Sequence, residues 1–169
     1  CDEVTSALDP LVADGILKLL LNLQKIEGVA YLYITHDLAT VRAIADSIAV
    51  MYQGKIVRYG TKTEVLTPPF DAYTDLLLAS VPELRVGWLD GIPPRPDTDA
   101  SSALHRAGGT QGCAFVARCP LAIPGICETR TPPERETAAG ARIRCHRMPD
   151  ELTEAQTRPI RPPAGTAAG

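Results

Sequence analysis

The chain lacks any basic excess: 17 lysines and arginines stand against 20 aspartates and glutamates, a formal net charge of -3. A protein that grips a phosphate backbone needs the opposite balance, so nucleic acid is excluded as a first reading. It also lacks an apolar run of the roughly 18 residues that can span a bilayer, and shows no signal-peptide pattern. No internal repeat is visible, and no C-x-x-C pair of the kind usual in zinc knuckles occurs. An initiator methionine is missing as well. The sequence opens at Cys1, and we expect it to start within a fold and to be the C-terminal part of a longer protein. Its 169 residues suffice for one ordinary domain, or for part of one with an appendage.

What is present is a succession of well-signalled elements. Asp9-Pro10 is a helix start, an N-cap followed by a proline at the first helical position. Apolar residues at Leu11, Ile16, Leu19, Leu20, Leu23 and Ile26 keep helical spacing up to Gly28. Val29 to Thr35 is apolar and β-rich without alternation, which predicts a strand buried on both faces of a parallel sheet. A short helix over Leu38–Ala45, a strand over Ser47–Tyr52 and a hairpin partner over Lys55–Tyr59 follow. Thr61 and Glu64 form a capping box for one more short helix. This order describes the back half of an α/β domain. A helix over Tyr73–Ala79 leads into a Pro- and Gly-rich stretch, and a segment bearing four cysteines comes after it. From Pro149 onward little is left to bury, which predicts a disordered tail.

Two strings about thirty residues apart carry the chemistry. Asp2-Glu3 opens the run CDEVTSALD, and His36 ends the apolar run in YLYITHDL. Nucleoside triphosphate hydrolysis needs a magnesium ion near the β- and γ-phosphates, an oriented water and a group on the γ-phosphate. One carboxylate at a strand end can hold the ion, and its neighbour can polarise the water. An isolated Asp-Glu pair is more often plain surface, and a lone strand-end histidine more often structural. Together, Asp2-Glu3, Ser6-Ala7-Leu8-Asp9 and Ile34-Thr35-His36-Asp37 resemble the ATPase domains of ABC transporters. The resemblance implies that Asp2 ends the Walker B strand and holds Mg2+, and that Glu3 is the catalytic base. It makes Asp9 part of the D-loop facing a partner subunit, and His36 the switch histidine on the γ-phosphate of ATP. Val4, where most members have proline, departs from the pattern. The phosphate loop G-x-x-x-x-G-K-[ST] and the family's signature peptide are both missing. Gly108-Gly109-Thr110-Gln111 is out of place for that peptide and reads as linker. The fragment alone is therefore expected to be inactive.

The continuation PPFDAYTDLLLASVPEL, then GCAFVARCPLAIPGIC and ARIRCHR, resembles the C-terminal extension of oligopeptide and dipeptide importer ATPases. Ala72 replaces a common proline there. The fold implied is α/β: the C-terminal part of a P-loop, ABC-type ATPase domain followed by a small cysteine-rich, loop-rich extension. Its expected parts are residues 1–66 of the ATPase domain, helix and linker over 67–112, the four-cysteine region over 113–147 and a tail over 148–169. The implied assembly places the ATPase on the cytoplasmic face of a bacterial membrane, as a peripheral subunit. There it would pair with a second ATPase subunit and dock on two transmembrane permease subunits, fed by an extracytoplasmic substrate-binding protein. Related nickel or sugar importers, and non-transport ABC ATPases, are the alternatives. Cys113, Cys119, Cys127 and Cys145 could converge on one metal centre. Some of the importer ATPases that this chain resembles carry a four-iron cluster, which implies [4Fe-4S] here, with zinc or no metal as alternatives. Cys1 is expected to be buried, and His146 to lie exposed beside the site.

Overall fold

The structure is a computed structural model that describes residues 1–80 and 112–157. The expected linker is thus described only up to residue 80 and at Gly112, and its Gly108–Gln111 stretch lies outside the described residues, as does 158–169. The chain divides into two compact units, Cys1–Asp46 and the part from Ser47 onward.

The first unit is mainly helical. Helix α1, Pro10–Glu27, begins where Asp9 Oδ1 accepts hydrogen bonds from the N–H groups of Leu11 and Val12, and ends at Gly28, whose N–H donates to Gln24 O. Helix α2, Leu38–Ile44, is capped in the same way by Asp37. Both starts follow from a short carboxylate satisfying N–H groups that no preceding turn can reach. The expected strand over Val29–Thr35 is not formed. One parallel bridge joins Asp2 to Ile34, through Ile34 N–H to Cys1 O (2.8 Å) and Glu3 N–H to Ile34 O (2.9 Å). The direction is the parallel one expected, but a strand needs a ladder, and here residues 1–3 offer one rung. Val29, Leu32 and Ile34 are accordingly exposed, Leu32 to 79%. Cys1 is exposed too, contrary to expectation.

The second unit is built on a four-stranded antiparallel sheet of order β1-β2-β4-β3, where β1 is Ser47–Tyr52, β2 Lys55–Thr61, β3 Glu134–Glu136 and β4 Arg142–Arg144. Gln53 and Gly54, with φ of 47° and 74°, make the two-residue turn of the β1-β2 hairpin; two consecutive left-handed residues match the twist of the strands. Helix α3, Lys62–Val65, carries the full capping box between Thr61 and Glu64. Helix α4, Ala72–Ala79, starts at Asp71. Because β2 pairs with β4, the sheet crosses the boundary expected at residue 66.

Two features of this unit escape the sequence pattern. Arg58, on β2, is fully buried, and its guanidinium donates to Pro69 O (2.8 Å), Thr67 O (2.8 Å) and Glu64 O (3.0 Å) while stacking over Phe70. It ties the 64–70 segment to the sheet. Residues 149–157, expected in the disordered tail, form helix α5, Pro149–Thr157. Leu152 is 0% exposed, and the Gln156 side-chain amide both accepts from Phe70 N–H (3.1 Å) and donates to Phe70 O (2.8 Å). A buried leucine and an amide pair help dock a helix that composition alone makes look solvated.

Candidate functional site

The first unit brings Glu3 and His36 together. Glu3 follows the bridge residue Asp2, and His36 lies two residues beyond Ile34, so the single parallel rung sets both side chains at one end of it. Glu3 Oε1 lies 2.7 Å from His36 Nδ1. The hydrogen bond to Glu3 and the charge behind it raise the His36 pKa above its ordinary 6.5, with Asp37 adding to the rise and desolvation opposing it. Both side chains face solvent, 77% exposed for His36 and 43% for Glu3, so a bound ligand could reach them.

Glu3 has φ 46°, in the left-handed region that a residue with a Cβ seldom adopts and that costs roughly 1–3 kcal/mol. The turn is held in that shape from several sides. Glu3 N–H donates to Ile34 O, and Ser6 donates to Glu3 O through both N–H (3.1 Å) and Oγ (2.9 Å). Thr5 Oγ1 and Tyr33 Oη share a hydrogen bond of 3.1 Å. Neither Tyr33 nor Thr5 stands out in the sequence. A hydroxyl on each side of the bridge was the available signal.

Asp2 is exposed and adjacent to Glu3, and its donor chemistry suits a hydrated magnesium ion. Asp9 is used as the N-cap of α1. Its position at the end of an exposed turn leaves that turn open to a partner.

The four cysteines lie in the second unit, on short turns around the 3-10 helix Val116–Arg118 and next to β4. Cys113 N–H donates to Cys127 O (2.8 Å), an approach that leaves no room for a side chain at Gly112, where a Cβ would meet Glu128 O at 2.4 Å. Phe115 anchors the segment, packed edge-on against Tyr52 and tilted against Tyr73. Cys127 is buried and the other three are half-buried, all as free thiols. Burial pushes Cys119 up to about 12 and Cys145 to about 11, and raises Cys113 too; Cys127 adds to the rise in all three. Among the described residues, however, no three of His, Cys, Asp and Glu gather closely enough to share one metal ion. The donor set is therefore right in chemistry for a thiolate-held centre, but it is not closed around a single ion as a four-thiolate zinc site is. His146, half-buried rather than exposed, places Nε2 3.0 Å from Arg130 O, so that nitrogen donates to a carbonyl.

No helix among the described residues is long and apolar enough to cross a membrane. Residues 57–127 match the family described as Oligopeptide/dipeptide transporter, C-terminal region. The chain is 42% identical over 133 residues to the probable D,D-dipeptide transport ATP-binding protein of Escherichia coli (strain K12), covering 76% of this chain and 40% of that protein. It is 36% identical over 153 residues to an oligopeptide transport ATP-binding protein of Bacillus subtilis (strain 168), covering 86% and 43%. A Salmonella typhimurium oligopeptide transport ATP-binding protein is 36% identical over 138 residues, covering 77% and 38%. The chain spans about two fifths of the length of the curated relatives it matches. With its motifs and its matched segment pointing the same way, the chain resembles the ATP-binding subunits of oligopeptide and dipeptide ABC importers, and residues 57–127 match the C-terminal region described for such transporters.

Proposed function

We propose that this chain supplies part of the ATP-hydrolysing subunit of an ABC importer for oligopeptides or dipeptides. The observation that carries the reading is the 2.7 Å contact between Glu3 Oε1 and His36 Nδ1. A carboxylate that is to accept the proton of an attacking water must stay ionised and stay placed. A histidine bonded to it through Nδ1 gains basicity, and as imidazolium it keeps Nε2–H free to donate to a γ-phosphate oxygen. Glu3 is then the general base, His36 the γ-phosphate contact and Asp2 the ligand that holds Mg2+ through its hydration shell. Bound Mg-ATP supplies the scissile phosphoryl group and neutralises its charge. The phosphate loop and signature peptide are absent from this sequence, so the triphosphate is cradled by residues outside it and by a second ATPase subunit, which Asp9 faces. The subunit docks, in this reading, on two transmembrane permeases at the cytoplasmic face of the membrane, and an extracytoplasmic binding protein selects the peptide.

Glu3→Gln in the full-length protein tests this. The variant keeps the shape but cannot take the proton, so ATP binding should persist while turnover falls by about 10²–10⁴-fold. Near-normal hydrolysis would remove Glu3 from the role.

The same reading gives Cys113, Cys119, Cys127 and Cys145 a [4Fe-4S] cluster in preference to zinc. A four-iron cube binds each thiolate through its own iron, so its sulfurs stand further apart than four sulfurs on one ion. What favours it is four free thiols in one small segment and the resemblance to importer ATPases; that no group able to hold a metal ion forms among the described residues lends it no support. Anaerobically purified protein should be brown and hold iron in stoichiometric amount, lost when the cysteines are replaced. Stoichiometric zinc without iron would reassign the centre.

A further inference from the structure

Of the contacts that hold the Glu3 turn, two involve the Glu3 backbone itself. Glu3 N–H meets the backbone of Ile34, and Ser6 closes on Glu3 O three residues back. The third is a side-chain link across 28 residues, the hydrogen bond between Thr5 Oγ1 and Tyr33 Oη. Beside the backbone bridge, it is a side-chain tie between the two strings that the reaction needs, since Thr5 lies two residues after Glu3 and Tyr33 three before His36. Both residues are half-buried while Glu3 and His36 are open to water, so this bond meets less competition from solvent than the contact it supports. Glu3 holds a left-handed φ of 46°. A turn in that conformation relaxes when its constraints are removed, and the relaxation carries the carboxylate away from the imidazole.

We propose that Tyr33 is a positioning residue: through Thr5 it fixes the Glu3 turn so that Glu3 Oε1 stays on His36 Nδ1. The consequence for turnover rests on the proposed hydrolytic function; the contact itself does not. Tyr33 touches neither reacting group, and its hydroxyl alone carries the effect.

The test uses the full-length protein labelled with 15N-histidine, His36→Gln assigning the signal. Glu3→Gln should remove the nitrogen signature of an Nδ1–H bonded to a carboxylate, and Tyr33→Phe should remove most of it as well. Thr5→Val should match Tyr33→Phe, the double variant should be no worse than either, and Thr5→Ser should restore the signal. In ATP turnover, Tyr33→Phe should lower kcat about tenfold, within the range that small misplacements cost, at unchanged KM. A His36 signal that survives Tyr33→Phe but not Glu3→Gln overturns the proposal, as does additivity of Tyr33→Phe and Thr5→Val. If Glu3→Gln leaves turnover intact, the hydrolytic reading fails, and the His36 signal still decides whether Tyr33 positions Glu3.

Discussion

Among residues 1–46 Thr40 alone is buried, whereas the second unit seals Arg58, Val65, Thr74, Ile143 and Leu152 to below 2% exposure. The first region holds its shape with caps, one parallel rung and a strained turn, and it presents Glu3 and His36 to solvent. The second holds a hairpin, a third and fourth strand and a docked helix around a buried cation. The difference separates two ways of specifying structure. Local capping and hydrogen bonds place reactive groups without much burial, while apolar closure and a guanidinium with three carbonyl partners supply a core.

That contrast can be broken most directly at Arg58. Arg58→Ala strips the carbonyls of Glu64, Thr67 and Pro69 of their donor and leaves a cavity, and should cost about 3–5 kcal/mol in urea unfolding. A loss near 1 kcal/mol would mean that the 64–70 segment is held by something else. Next in size is a matched pair of leucines. Leu152→Ala, at 0% exposure, should cost about 2–4 kcal/mol, while Leu11→Ala, at 82%, should stay within about 0.5 kcal/mol. Equal losses at the two positions would erase the distinction between the regions.

Much of this fold is legible in the sequence because its signals are local. Asp9-Pro10 and Thr61 with Glu64 announce their helices, and Gln53-Gly54 announces the hairpin. What depends on distant partners is less legible. Val29–Thr35 has the composition of a buried strand, but composition cannot supply neighbours, and the segment keeps one rung. Arg58 sits at an inward position of β2 where the pattern expects an apolar residue, and only the carbonyls of the 64–70 turn explain it. Helix α5 had a readable start, with Pro149 followed by Asp150 and Glu151, masked by the polar composition around it. In the candidate site, the strings bearing Glu3 and His36 are visible, but their direct contact and the Thr5–Tyr33 link are tertiary events with no spacing rule behind them.

The central claim is that Glu3 and His36 form one unit, and the pH titration of His36 followed by NMR tests it most directly. The raised pKa means that the imidazolium–carboxylate attraction is fully present below the ordinary 6.5 and is lost as the pH rises through the raised value. The account predicts a His36 midpoint above 6.5 that falls back when Glu3 is changed to Gln, because the Glu3 hydrogen bond and charge are the largest causes of the rise. A midpoint at or below 6.5, or one that Glu3→Gln does not move, would contradict it.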